Sequence, residues 1–271
     1  MDFPRWVGYP TAQKILDTLQ GLMHKPQRSR MPNLLIVGDP NNGKTTILER
    51  FEELCGQAYV DENSEPVKPL LVCQSPPYAD EKSFYCAILQ RFFTPYNERD
   101  TPIALRAQVL HLCRACKVRM IAFDEMHSML TGTALKQREV MNVIKYLCNE
   151  LKIPIVGFGT RDAVRVLHHD PQHASRFDVV KVPLWDLDQN FQQLLASFET
   201  ILPLKKPSEL HKPELCRLIH TISEGNLGNV HRLLIECARE AIDTGNEVID
   251  KSLIESKSWL RPTRGIREQS L

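Results

Sequence analysis

The feature that most constrains this chain is an apolar run that leads directly into a glycine-flanked loop and then into a helix-forming segment. The run is Leu34-Leu35-Ile36-Val37, and the loop Gly38-Asp39-Pro40-Asn41-Asn42-Gly43-Lys44-Thr45 has the pattern G-x-x-x-x-G-K-[ST]. In this pattern backbone N–H groups face phosphates, the lysine reaches the β- and γ-phosphate oxygens, and the hydroxyl of Thr45 binds Mg²⁺. We therefore predict a site for ATP and Mg²⁺ over residues 38–46, which includes Thr46, with Lys44 as its cation.

An alternation of β-rich runs with amphipathic stretches indicates an α/β fold. After the run before the loop, the β-rich runs are 70–73, 120–123, 155–158 and the more alternating 178–184. Continuous apolar runs are typical of buried parallel strands, whereas the alternating run suits a sheet edge. The intervening stretches 45–55, 82–93, 103–116 and 137–151 have the pattern of crossover helices. We predict an αβα sandwich with a five-stranded, mainly parallel sheet within residues 1–187.

The β-rich runs stop near residue 187, and the rest of the chain has a helical pattern. The helical stretches are 190–200, 213–224, 228–244 and 251–257. We predict a small all-helical lid domain over residues 188–262, followed by a polar C-terminal tail over residues 263–271.

Two acidic residues follow the predicted strand 120–123 directly. Asp124 and Glu125 would lie at the carboxyl edge of the sheet, where α/β proteins bind their ligands. Asp124 would hold Mg²⁺ through a water, and Glu125 would polarise the attacking water. The alternative is that the two acids merely favour the N-terminus of a helix. With the phosphate loop in the same chain, we predict catalytic roles for both.

Two further polar turns are candidates for the same reaction. Thr160 ends the predicted strand 155–158 and resembles the sensor-1 residue of AAA+ ATPases, although it could equally cap the helix that follows. Arg176 resembles the arginine finger that AAA+ subunits insert into a neighbour's site, where its planar fork would neutralise γ-phosphate charge. A surface salt bridge is the alternative for Arg176.

The charge balance limits how the chain could bind nucleic acid. Its 34 basic and 33 acidic residues nearly cancel. The whole chain therefore projects no strong field, and any contact with DNA must come from a local patch. No basic stretch followed by an apolar run opens the chain, and no apolar run approaches the length of a membrane span, so we expect a soluble cytoplasmic protein.

Several longer stretches resemble the TniB/TnsC family of AAA+ transposition regulators, and TniB most. They are 5–10, 30–38, 41–44, 124–127, 149–154 and 159–163. The resemblance spans nearly the whole chain and implies the AAA+ P-loop NTPase fold. It also implies a homo-oligomer or filament that assembles on duplex DNA in its ATP state. The partners that it implies are a DDE transposase and a target-selection protein of the TniQ type.

The resemblance also assigns roles to particular residues. Val7 and Tyr9 would line the adenine pocket, although they could instead form a hydrophobic staple to the next helix. Lys82 and the segment from Arg99 to Thr101 would contact DNA phosphates without reading sequence, although Lys82 could be an ordinary solvated lysine.

One position departs from the AAA+ pattern. Where many lids have a sensor-2 arginine in a Gly-x-x-Arg turn, this chain has Gly225-Asn226-Leu227-Gly228. Arg232, one helical turn later, could substitute for that arginine or could face solvent.

The sequence is compatible with three functions to different degrees. The first is an ATP-dependent regulator of DNA transposition that recruits its partners to the target and disassembles on hydrolysis. The second is a generic AAA+ DNA remodeller or loader. The third, a scaffold that binds nucleotide without hydrolysing it, is disfavoured by the pair Asp124 and Glu125.

Overall fold

Residues 6–168 and 174–262 are described by the computed structural model. They fall into a sheet unit of residues 14–38 and 44–182, and a helical unit of residues 6–13, 39–43 and 183–262. The boundary that we place at residue 187 lies in the connection between the last strand of the sheet unit and the first long helix of the helical unit. The predicted tail, 263–271, lies outside the described residues, as does Arg5.

Five parallel strands form the main sheet. Four of them contain a predicted β-rich run, and the fifth covers the predicted run 178–184 up to residue 182. They are β1 (Asn33–Gly38), β4 (Leu70–Gln74), β5 (Met120–Asp124), β6 (Ile155–Gly159) and β7 (Phe177–Val182), and the short strands β2 (Tyr59–Val60) and β3 (Pro66–Val67) form a separate antiparallel hairpin. The order in the sheet is β4-β5-β6-β1-β7, and all neighbours are parallel. The predicted fold class and the edge position of the last strand are confirmed.

Helices follow the predicted stretches to within a few residues. In the sheet unit they are α2 (Lys44–Cys55), α3 (Glu81–Gln90), α4 (Pro102–Ala115), α5 (Ala134–Leu151) and α6 (Val164–His168), with α1 (Pro10–Met23) shared between the units; the helical unit has α7 (Gln189–Ile201), α8 (Pro213–Ser223), α9 (Leu227–Asp243) and α10 (Lys251–Ser256). Polar caps start many of them. Asp80, for example, accepts a hydrogen bond from the backbone of Ser83 at the start of α3. Among the described residues, no helix is long and apolar enough to cross a bilayer.

Each unit has its own apolar core. In the sheet unit, Phe84 of α3 stacks on Phe123 of β5 with the ring centroids 4.4 Å apart, and both side chains are fully buried. In the helical unit, Phe191, Ile219 and Leu233 belong to one buried cluster contributed by α7, α8 and α9. Burial of such side chains stabilises each unit by about 1.5–3 kcal/mol per residue.

Gly157 in β6 leaves the space that the side chain of Met126 fills. A Cβ atom at this position would lie 2.0 Å from Met126 Sδ and 3.0 Å from Leu35 Cδ1. We expect Gly157→Ala to lower the free energy of unfolding by about 1–3 kcal/mol, because the core must shift to accept the methyl group. Urea denaturation measures this change.

Gly21→Ala is the matched control for this substitution. Gly21 lies in α1 with no heavy atom within 4 Å of the added methyl group. Alanine there should stabilise the helix by about 0.5–1 kcal/mol. Equal stability of the Gly157→Ala variant and the wild type would contradict the packing of Met126 on this strand.

Candidate nucleotide site

The sheet order brings three polar strand ends together. The strands β5, β6 and β1 are neighbours in that order. Asp124 ends β5, Thr160 follows β6, and the loop that leads to Lys44 follows β1. Because parallel strands end at the same edge of a sheet, these residues lie on neighbouring strands at one edge. The sequence predicts this arrangement for the candidate catalytic groups, whose roles stay predictions.

Lys44 begins α2 and its side chain folds back over the start of the loop. Its Nζ donates to the carbonyl oxygen of Gly38 at 3.1 Å, and the residue is only 8% exposed. A Cβ atom on Gly38 would lie 2.8 Å from the carbonyl oxygen of Val182, so only glycine allows strand β7 to approach this closely. A buried ammonium group favours an anionic ligand, since burial of a charge is costly without one.

Thr45 and Asp124 are joined directly. The hydroxyl of Thr45 donates to Asp124 Oδ2 at 2.7 Å, and Asp124 is 7% exposed. The backbone also fixes Asp124, because the N–H of Ser75 donates to its carbonyl oxygen at 3.0 Å. Two oxygen ligands at this separation fit the hard-cation chemistry of Mg²⁺, which binds through one or two carboxylates and hydroxyl groups. These two residues are the ones that would hold the metal ion.

Glu125 occupies a left-handed backbone conformation. Its φ is 55°, which is uncommon for a residue other than glycine. The backbone N–H of Glu125 donates to Asp124 Oδ1 at 2.8 Å, and its carbonyl oxygen accepts from the N–H of Ser128 at 2.9 Å. A non-glycine residue in this region costs about 1–3 kcal/mol and persists only where its surroundings fix it. These hydrogen bonds therefore fix the backbone of the turn that carries the two acids.

Thr160 follows β6, the strand between those that carry the loop and the acidic pair. It occupies the capping position of a short 3₁₀ turn, Arg161–Ala163, but its side chain makes no capping hydrogen bond. Thr160 therefore occupies the cap position, as the alternative role predicts, but it does not cap the turn with its side chain. Its role as a sensor stays a prediction.

The middle of the loop, 39–43, belongs to the helical unit. Asn41 and Gly43 have positive φ angles of 59° and 76°. The carbonyl oxygen of Asn41 accepts from the N–H of Gly228 at 2.9 Å, and the side chain of Asn42 accepts from the N–H of Leu227 at 3.2 Å. The first turn of α9 therefore donates its backbone N–H groups to the loop.

This contact explains the glycine found in place of a sensor-2 arginine. A Cβ atom on Gly228 would lie 2.3 Å from the side chain of Asn41. Asn226 adds a further hydrogen bond, from its Nδ2 to the carbonyl oxygen of Pro40 at 3.0 Å. A long side chain at position 228 would break this contact. Arg232, which we considered as a substitute, is exposed on α9.

Tyr9 and Val7 belong to the core of the helical unit. The ring of Tyr9 meets the ring of Trp185 edge to face, with the centroids 5.0 Å apart, and burial raises the pKa of Tyr9 to about 12. Val7 packs against the same apolar cluster as Trp185. The contact of Trp185 with Tyr9 was not predicted, and its signal in the sequence is an isolated tryptophan shortly after the last strand. The assignment of Val7 and Tyr9 to adenine stays a prediction.

Arg176 lies at the amino-terminal ends of the parallel strands, whereas the phosphate loop follows the carboxyl end of β1. It directly precedes β7, whose first residue pairs with Asn33 and whose last pairs with Gly38. Six residues of strand separate the two ends, which is roughly 20 Å. The guanidinium group donates to Asn149 Oδ1 at 2.8 Å. Arg176 is therefore remote from Gly38, where the phosphate loop begins. Its role as an arginine finger stays a prediction.

The three candidate DNA contacts lie on α3 and before α4. Lys82 is half-buried in the first turn of α3, and Arg99 is exposed in the following loop. Thr101 caps α4, because its Oγ1 accepts from the N–H of Ala104 at 3.3 Å. A hydroxyl group that accepts a capping bond still has its O–H to donate, so the capping role does not conflict with a phosphate contact. All three remain predictions.

Solved structures with the same fold cover nearly the whole chain. The ORC2 protein of Aeropyrum pernix in ADPNP–ADP complexes is 14% identical with a TM-score of 0.65, covering 93% of this chain and 67% of that one. Cdc6p of Pyrobaculum aerophilum is 18% identical with a TM-score of 0.67, covering 91% and 66%. A RuvB mutant of Thermotoga maritima is 13% identical with a TM-score of 0.58, covering 97% and 73%. These likenesses show an AAA+ fold.

The sequence itself matches one known family. No curated protein sequence matches the chain. The chain spans about two thirds of the length of the ORC2 and Cdc6p structures. A family model described as bacterial TniB protein matches residues 1–187, a range that includes the phosphate loop, the acidic pair and the sheet that positions them. The chain belongs to the TniB family.

Proposed function

We propose that this chain is an ATP-dependent regulator of DNA transposition. In its ATP state it oligomerises on duplex DNA without sequence preference and recruits a DDE transposase and a TniQ-type target-selection protein. Hydrolysis of ATP then disassembles the complex. The family match supports the biological role, and the observation that carries the chemistry is the 2.7 Å hydrogen bond between Thr45 and Asp124 beside the buried Lys44.

The residues of the sheet unit divide the work of hydrolysis. Lys44 would bind the β- and γ-phosphate oxygens, and Thr45 with Asp124 would hold Mg²⁺. The metal ion, when bound, would neutralise part of the phosphate charge. Glu125, which lies in the left-handed turn directly after Asp124, would take the proton of the attacking water. Thr160 directly follows β6, the strand between β5 and β1, and would orient that water.

Assembly would supply the remaining groups. Arg176 lies at the amino-terminal end of β7, opposite the end of the sheet that carries the phosphate loop. Its guanidinium group would therefore serve the site of a neighbouring subunit, where it would stabilise charge on the γ-phosphate. A near-zero net charge makes one subunit a poor ligand for a polyanion. In aligned subunits, the weak phosphate contacts of Lys82, Arg99 and Thr101 would add up along the DNA. This avidity would give the affinity that a basic protein obtains from its net positive charge.

DNA binding should therefore be cooperative and should depend on ATP. We expect fluorescence anisotropy on unrelated duplexes to show cooperative binding with a slowly hydrolysed ATP analogue and almost none with ADP or without nucleotide. Lys82→Ala should weaken binding equally on every duplex and lower the salt dependence by about one ion per subunit. Arg176→Ala should prevent assembly, and electron microscopy of the same samples reports the oligomer.

Lys25→Ala is the matched control, because Lys25 is exposed just after α1, outside the proposed DNA-contacting segments. It should bind as the wild type does. Tight non-cooperative binding without nucleotide, or full binding by both the Lys82→Ala and Arg176→Ala variants, would refute this mechanism. Such a result would favour the generic AAA+ remodeller or loader instead.

A further inference from the structure

A histidine two residues after Glu125 contacts its carboxylate. His127 Nε2 lies 3.1 Å from Glu125 Oε2. The two side chains are 32% and 48% exposed, so both reach solvent while they touch each other. The other ring nitrogen, Nδ1, is buried and has no hydrogen-bond partner in the described part of the chain. The carboxylate of Glu125 is therefore the polar group that orients this imidazole ring.

The contact also determines which ring nitrogen carries the proton of a neutral imidazole. With the proton on Nε2, the ring can donate to Glu125 Oε2, 3.1 Å away. With the proton on Nδ1, that bond is lost, an N–H group is buried without an acceptor, and the lone pair of Nε2 faces a carboxylate. The first tautomer is favoured because an unsatisfied buried donor costs about 1–3 kcal/mol.

The backbone around this pair is closely packed. Met126, between the two residues, fills the space over Gly157. A Cβ atom on Gly159 would lie 3.2 Å from the backbone nitrogen of His127, so the turn lies directly against the end of β6. With the backbone fixed, the remaining freedom of Glu125 lies in its side-chain torsions. The contact with His127 restricts these torsions.

We infer that His127 is a positioning residue for ATP hydrolysis. Its Nε2–H holds one carboxylate oxygen of Glu125, so that the other oxygen is directed to accept the proton of the attacking water. This inference rests on the proposed role of Glu125 as the base. His127 itself exchanges no proton in the reaction, and it acts by keeping the carboxylate in one orientation.

The test compares steady-state ATP hydrolysis by the wild type with that of three variants in the full chain. His127→Ala should lower kcat by about 10-fold to 100-fold, the size of loss that a misplaced catalytic group causes, with KM and the affinity for ATP unchanged. His127→Gln should recover most of that rate, because its amide nitrogen can donate at the position of Nε2. His111→Ala, which removes an exposed histidine from α4, should behave as the wild type.

A double variant shows whether His127 acts through Glu125. When Glu125→Gln is already present, adding His127→Ala should cause no further loss of kcat. A further loss there, an unchanged or raised kcat in His127→Ala, or equal loss in the Ala and Gln variants would overturn the inference while the proposed function stands. A wild-type protein that binds ATP without hydrolysing it would overturn the proposed function and this inference with it.

Discussion

Lys44→Ala is expected to remove ATP binding. The ammonium group is the cation that the loop would present to the β- and γ-phosphate oxygens, and it is buried against the carbonyl oxygen of Gly38. Charged hydrogen bonds contribute up to about 3 kcal/mol, which is on the order of a hundredfold in affinity. Burial of the ammonium group increases this effect, because charges interact more strongly where the dielectric constant is low. Isothermal titration calorimetry with ATP and Mg²⁺ measures it.

The matched control for this variant is Lys14→Ala. Lys14 is exposed on α1 and belongs to the sheet unit, as Lys44 does. It should bind ATP with wild-type affinity. Circular dichroism of both variants separates a lost ligand contact from a lost fold. If the Lys44→Ala variant is folded and binds ATP as tightly as the wild type, the phosphate-loop assignment is wrong.

The strands and the phosphate loop were predictable because their signals are local. β1 and β5 are continuous apolar runs that end in a glycine loop and in acidic residues. A parallel sheet places such ends at one edge, so the position of Thr45 and Asp124 at the same edge of the sheet follows without any knowledge of side-chain packing. The strand order, and with it the place of Thr160 between them, needed the structure.

Features that depend on tertiary packing were not predictable. Glu125 and His127 meet across a left-handed turn. The packing of Met126, which lies in this turn, over Gly157 of β6 fixes the turn. The hydrogen bond between Asn41 and Gly228 joins residues far apart in sequence, and only their pairing explains the glycine at 228. No periodic pattern carries that information.

The hairpin of β2 and β3 was missed for a different reason. Each strand has two residues, which is too short for an alternating pattern to be detected. The turn between them has a local signal, because Asp61 accepts hydrogen bonds from the N–H groups of Asn63 and Glu65. An Asp followed by polar residues is common in loops of every kind, so this signal alone does not predict strands.

Glu125→Gln should separate ATP binding from hydrolysis, which Lys44→Ala does not. Glutamine has nearly the same shape as glutamate, and its carbonyl oxygen can still accept from His127. The amide has no basic oxygen to take a proton from water. We therefore expect ATP affinity to be unchanged and turnover to fall by about 10²–10⁴-fold, the usual contribution of a general base. Single-turnover hydrolysis measures the chemical step directly.

The same variant tests whether hydrolysis drives disassembly. If the oligomer on DNA is released by hydrolysis, its lifetime with ATP should increase in proportion to the loss of turnover, so that ATP has the effect of a slowly hydrolysed analogue. Dissociation from labelled duplex after dilution measures this lifetime. Glu62→Gln, an exposed change in the turn of the hairpin, should leave both rates unchanged. Wild-type turnover in Glu125→Gln would move the base to another residue, whereas slow turnover with rapid release would separate disassembly from hydrolysis.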